Sequence, residues 1–152
     1  MKFRYSDTVH GGQAKATAVI DGKVEEMFFI KSLEASSEKK KDEGYVVGNR
    51  LAQHKSAGLV NTGKMAIYSV TSLFRRMMKK FQDTGIDTFF TITVETEDKA
   101  STIGRQVTTL YDVNIDSVMV AHIDIGVTSL EEDIPFTFGK WDMPEEFGLP
   151  SG

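Results

Sequence analysis

The spacing with most chemical promise is Gly58-Leu59-Val60-Asn61-Thr62-Gly63-Lys64-Met65, which matches the G-x-x-x-x-G-K portion of a phosphate-binding loop. Such a loop follows a strand, opens a helix, and supplies a Ser or Thr hydroxyl to Mg²⁺ directly after the lysine. Met65 stands there, and the residues beyond it read as a strand, so the glycines read as the end of a connecting arm. Asp112-Val113-Asn114-Ile115-Asp116 has the opening spacing of a calcium loop. It lacks the glycine at position six, where Ser117 stands, and the bidentate glutamate at position twelve, where Ile123 stands. The same three polar residues are accounted for as one face of a strand. His10, His54 and His122 are dispersed, and no close pair has ligand spacing. Nothing in the sequence sets a base beside a nucleophile. The reading is therefore of a chain that is not an enzyme, with no catalytic set, metal site or cofactor.

Two basic clusters remain. Arg75, Arg76, Lys79 and Lys80 share one face of a predicted helix, which could grip phosphate or an acidic neighbour but reads more plainly as a solvated surface. Lys39, Lys40 and Lys41 are flanked by Glu38, Asp42 and Glu43, a mixed-charge loop tip. The chain has 152 residues, enough for one domain with a real core, and its formal charge of −4 gives no global reason to seek nucleic acid. With no cysteine there is no disulfide framework. No apolar run approaches the roughly 20 residues of a membrane span, and Met1 to Ser6 has no secretory apolar region, so a chain made and folded in the cytosol is expected.

The elements that must position these residues are mostly strands. Residues 1–13 end in Gly11-Gly12 and read as a flexible entry segment. Ala14–Ile20, the turn Asp21-Gly22 and Val24–Ala35 make a first hairpin. Residues 36–63 show no clear period and read as a long arm, with a short strand at Tyr45–Val47; a connection of this length is unusual unless functional. Lys64–Val70 reads as a strand, and Thr71 or Ser72 caps a helix over Leu73–Phe81 that Gly85 closes. Thr88–Thr96 is a strand with Phe90, Ile92 and Val94 on one face. It pairs into a second hairpin with the longest alternating run of the chain, Val107 to Ile125. At about 3.3 Å per residue that run would span roughly 60 Å, far beyond the radius of gyration of about 15 Å for a compact domain of this size. It must therefore bend around a barrel, break at a bulge, or reach another subunit. Ile134–Phe138 alternates again, and residues 139–152 read as an acidic C-terminal tail. The fold class is mainly β, an antiparallel barrel or sandwich with one packed helix and a long extended loop.

From the arm onward the order of signals resembles the phage tail tube proteins of contractile tails, the XkdM-like family of myoviruses and defective prophages. The residues carrying the likeness are Gly48-Asn49-Arg50, His54-Lys55, Asn61-Thr62-Gly63, Tyr68-Ser69-Val70-Thr71-Ser72 with Phe74, and Gly85-Ile86-Asp87 before Phe89-Phe90-Thr91. They continue through Gly104-Arg105, Val107 to Asn114, and Leu130-Glu131-Glu132-Asp133-Ile134-Pro135-Phe136-Thr137-Phe138. The resemblance implies a structural building block: six copies in a ring, rings stacked into a tube inside a sheath, with DNA or a tape-measure protein in the lumen. It implies a single tail-tube domain that meets sheath, tape-measure and baseplate proteins but no membrane, assembled in the bacterial cytoplasm and then carried in the virion tail.

Within that frame the faces of the second hairpin opposite the core, Thr91, Thr93, Glu95, Thr108 and Asp112, are expected to look into the lumen. Small hydroxyls and carboxylates would let a polyanion slide, since like charge disfavours sticking. Lys39, Lys40, Lys41, Asn49, Arg50, His54 and Lys55 are expected to make inter-subunit contacts from the arm. Three rivals stand beside this reading: a tube protein of a related secretion or bacteriocin injection machine, a monomeric β-barrel module holding a small ligand or peptide, and a nucleotide-dependent enzyme using the Gly58–Lys64 loop.

Overall fold

The computed structural model describes residues 5–7, 14–27, 29–97 and 101–148. The flexible entry segment expected over residues 1–13 falls outside these except for one 3-10 turn, Tyr5–Asp7. The first hairpin forms as its alternation predicts. Strand β1 (Ala14–Ile20) buries Ala16, Ala18 and Ile20, Asp21 and Gly22 take the positive φ values (51° and 80°) of a tight hairpin turn, and β2 (Lys23–Glu26) returns antiparallel.

The expected strand Val24–Ala35 is two strands. The Met27 N–H still donates to the Ala16 carbonyl (3.0 Å), but Met27 and Phe29 then drop into the core before β3 (Ile30–Gly44) begins. The break is where the chain crosses from one half of the sheet to the other. β3 pairs with β4 (Gln53–Tyr68) from Ile30↔Ile67 out to Gly44↔Gln53. Residues 36–63, expected as an aperiodic loop, are therefore mostly the two arms of a long hairpin, and Tyr45–Val47, expected as a strand, lie in its tip. With solvent on both faces of the ribbon, no apolar alternation was there to be read.

The Thr71 hydroxyl accepts the Leu73 N–H (3.2 Å) at the start of α1 (Leu73–Thr84), whereas Ser72 makes no capping bond. Gly85 ends the helix in the left-handed region (φ 73°), a conformation cheap only without a Cβ, and donates its N–H to the Phe81 carbonyl. The remaining strands are β5 (Phe90–Glu97), β6 (Arg105–Ile115), β7 (Glu131–Thr137) and β8 (Lys140–Glu145). The acidic tail expected over residues 139–152 thus begins largely as β8, which shows no pattern because every residue in it is exposed.

All pairings are antiparallel, in the order β2-β1-β5-β6-β7-β4-β3, with β8 also on β6. The sheet folds over on itself without closing, so the single chain is not a barrel, and among the described residues β2, β3 and β8, which pairs with β6 alone, are its edge strands. Strand β6 joins the halves: Val107–Tyr111 pair with β8, Asn114 and Ile115 with β7. Between the halves lie Ile92, Leu110 and Val113 from one and Met65, Ile67, Ile134 and Phe136 from the other, with Leu73, Phe74 and Met77 of the helix. Phe74 meets Phe29 edge-on at 5.9 Å, a geometry aromatic rings prefer, and lies tilted against Phe90 at 6.4 Å.

The long alternating run ends early. β6 stops at Ile115; the Asp116 N–H still donates to the Pro135 carbonyl (2.8 Å), and then the chain leaves the sheet. Ile123 and Ile125 are 90% and 100% exposed. The alternation persists in sequence, but among the described residues no strand lies alongside it. A bulge also interrupts β6. Phe90 pairs with Val113 but Ile92 with Leu110, leaving one extra residue on β6, and Asp112 there takes φ 55°. That extra residue reverses the parity: Val113 and Ile115 face the core after it, Leu110 before it, while Val107 and Thr109 face away.

Candidate assembly surfaces

Three surfaces follow from this architecture. The first is the ribbon. β7 pairs with β4 only over Thr62–Tyr68, so beyond Ser36↔Thr62 the hairpin has no third strand among the described residues. Two strands alone are marginal in water. All of the arm candidates lie here and are exposed: Lys39, Lys40 and Lys41 on β3, Asn49 and Arg50 in the tip, His54 and Lys55 on β4. Opposed pairs are complementary, Asp42 facing Lys55 and Glu43 facing His54. The tip is shaped by its own bonds, Asn49 N–H to the Val46 carbonyl (3.0 Å) and Leu51 N–H to Asn49 Oδ1 (2.9 Å). Charge-based reading missed the apolar part of this surface: Tyr45, Val46, Val47, Leu51 and Leu59 are all exposed, Val47 completely. Their clustering between charged runs was the available signal.

The second surface is the face of β2-β1-β5-β6-β8 turned away from the core. Cross-strand register places Lys15, Glu95, Val107 and Glu145 in one row and Thr17, Thr93, Thr109 and Asp142 in the next. Of the lumen candidates, Thr91, Thr93 and Glu95 lie on this face. Thr108 does not: it pairs with Val94, which packs on the core, so it belongs to the core side, and Asp112 sits in the bulge beside Gly139. The parity reversal at the bulge is the physical reason, and it puts Val107 and Thr109 where Thr108 was expected. A lattice of ion pairs crosses the face, Lys15 to Glu95 (3.0 Å), Arg105 to Glu95 (3.2 Å) and Arg105 to Glu145 (2.7 Å). The bond to Glu145 holds the Arg105 guanidinium above its usual range. Lys140 lies over the Tyr111 ring, 4.9 Å from its centroid.

The third surface is the helix. Arg75, expected among the solvated cations, is tied down: its Nε donates to the Met119 carbonyl (2.7 Å) and its guanidinium pairs with Glu132, whose carboxylate is 4% exposed. A carboxylate so buried needs a partner, and a helix cation within reach supplies it. Lys79 pairs with Asp83 one turn on (3.1 Å), and Arg76 and Lys80 are exposed.

The nucleotide and calcium lures resolve into strand structure. Gly58 lies at a bulge of the exposed ribbon and Lys64 inside β4, with no helix opening after them. At Gly63 a Cβ would come 2.5 Å from Phe136 Cζ and 2.6 Å from the Glu34 carbonyl, so that glycine serves packing. Asn114 donates to Asp87 (2.8 Å) and to the Thr88 carbonyl (3.2 Å), away from Asp112 in the bulge. Among the described residues no three His, Asp or Glu side chains converge as a metal would require. His10 lies outside the described residues, His54 is on the ribbon, and His122 is in the loop after β6. No described helix is long and apolar enough to cross a membrane.

Fold and surfaces together define a β-rich subunit with open sheet edges and a projecting ribbon. The phage tail tube protein family model matches residues 1–145, and the chain belongs to that family. It is 38% identical over 146 residues to the phage-like element PBSX protein XkdM of Bacillus subtilis (strain 168), covering 96% of this chain and 97% of that one. The fold is also that of a chain in the extended sheath–tube complex of an extracellular contractile injection system, PVC, with TM-score 0.67, 13% identity and 90% of each chain covered. The SPP1 tail tube matches with TM-score 0.63 and 11% identity, over 95% of this chain and 81% of that one. The protein is a structural component of a phage-type tail tube and not an enzyme.

Proposed function

We propose that this chain is the protomer of the inner tube of a contractile phage or phage-like tail, six copies forming a ring and rings stacking around a central channel. The observation that carries the reading is the incompleteness of the subunit: among the described residues, a sheet with unpaired edges at β2, β3 and β8 and a two-stranded ribbon exposed on both faces, in a member of the tail tube family. Unpaired edges and lone ribbons are liabilities in a monomer, and pairing with neighbouring copies removes them. In this arrangement the ribbon, with Lys39–Lys41, Asn49, Arg50, His54 and Lys55 and the apolar tip, bridges neighbouring subunits.

The polar face of β2-β1-β5-β6-β8 lines the channel with Thr91, Thr93 and Glu95; Val107 and Thr109 share that face in place of Thr108 and Asp112 but are buried within it. DNA or a tape-measure protein occupies that channel without specific binding, and sheath and baseplate proteins meet the outside. Assembly takes place in the bacterial host cytoplasm before the tube joins the virion tail. Electron microscopy of the purified protein at high concentration tests this, with six-fold rings or open tubes expected. Complete tails from a host lacking the gene would overturn it.

A further inference from the structure

The wall assigned to the channel carries cations, which a surface that must not hold a polyanion would be expected to avoid. Among the described residues of this face they are Lys15, Arg105 and Lys140, against the carboxylates Glu26, Glu95, Glu97, Asp142 and Glu145. None of the three cations is free. Lys15 is held by Glu95 from the neighbouring strand, Arg105 by Glu95 on one side and Glu145 on the other, and Lys140 by the Tyr111 ring. Glu95 is only 25% exposed and uses one oxygen for each cation, Oε2 for Lys15 and Oε1 for Arg105. On the strand between theirs, directly opposite Lys15 and diagonal to Arg105, whose register partner is Glu97, this one carboxylate pairs with cations on two strands at once.

We propose that this cross-strand lattice, with Glu95 as its centre, masks the wall's own cations and so keeps it from capturing a polyanion such as DNA. Phosphate capture by Lys and Arg is driven by release of counterions from the polyanion, and a cation already paired in the plane of the sheet must first give up that partner. Among the described residues, removing the Glu95 charge leaves Lys15 with no ion-pair partner and Arg105 paired with Glu145, with Glu97 opposite it in register, and ring symmetry would repeat the exposed pair around the channel. The inference rests on the tube reading for its location but not for its chemistry.

The test compares the wild-type protein with Glu95→Gln, which preserves shape and removes charge, by fluorescence anisotropy with a labelled duplex DNA oligonucleotide at about 25 mM and about 500 mM salt. Wild-type protein is expected to bind only weakly, even at low salt. Glu95→Gln should bind at least about 10-fold more tightly than wild type at low salt and lose that binding at high salt. Adding Lys15→Gln and Arg105→Gln to it should abolish the gain. Glu145→Gln, which leaves Arg105 its Glu95 contact, should gain less. A Glu95→Gln protein with unchanged circular dichroism and no gain in binding overturns the proposal and leaves the tube role intact. If the free variant gains binding but tubes assembled from it hold no oligonucleotide in the channel, the masking stands and the channel assignment of this face fails.

Discussion

The packed half of the molecule and the ribbon differ in what water touches. Around Ile92, Phe136 and Phe74 every strand has a neighbour on each edge or a layer above it, and side chains sort by face. From Ser37 to Gly44 and Gln53 to Asn61 each strand has one neighbour and solvent on both faces. One region draws its stability from within the chain. The other has no such support among the described residues.

Substitutions should separate the two regions sharply. The largest loss is expected at Phe136, which is fully buried: Phe136→Ala should cost about 4 kcal/mol, or on the order of 10 °C in melting temperature for a chain this size. Next is Arg75→Met, which strands the buried Glu132 and should cost about 3 kcal/mol in denaturant titration. Arg75→Met with Glu132→Leu should recover most of that, since removing both charges leaves nothing unpaired.

Gly63→Ala forces a methyl into Phe136 and the Glu34 carbonyl and should cost about 2 kcal/mol by the same titration. At the far end, deleting residues 38–57 joins Ser37 to Gly58. The remaining Ser37↔Asn61 pair can close over a short turn, and stability should stay within about 0.5 kcal/mol of wild type. The deleted protein should nonetheless fail to grow tubes in electron micrographs. Normal-length tails from that deletion, or a melting temperature lowered as far as by Phe136→Ala, would erase the distinction between the regions. Lys31→Ala, which removes an exposed pair with Glu131 (3.0 Å), should leave the melting temperature unchanged.

How much of this was legible depended on burial. β1, β5, the helix and its Gly85 end were readable because one face of each is in the core, so apolar residues recur at the element's own period. The ribbon and β8 were not, because a strand wetted on both faces carries no such period. The outward sheet face was half legible for the same reason. Thr91, Thr93 and Glu95 sit on a regular strand and kept their face, while Thr108 was misplaced by one extra residue at Asp112.

Composition and alternation by themselves determined a β-rich chain with one amphipathic helix, a tight Asp21-Gly22 turn and no plausible catalytic set, since these depend only on local period and residue chemistry. The ordered signals between Gly48 and Phe138 determined the family. Only the tertiary structure decided where alternation stops meaning strand, because that depends on a partner: Val107 to Ile115 has one, and among the described residues Ile123 has none. It also decided that Arg75 serves a buried carboxylate and that Lys15, Glu95, Arg105 and Glu145 form one lattice. Those residues lie far apart in sequence, and no local period can bring them together.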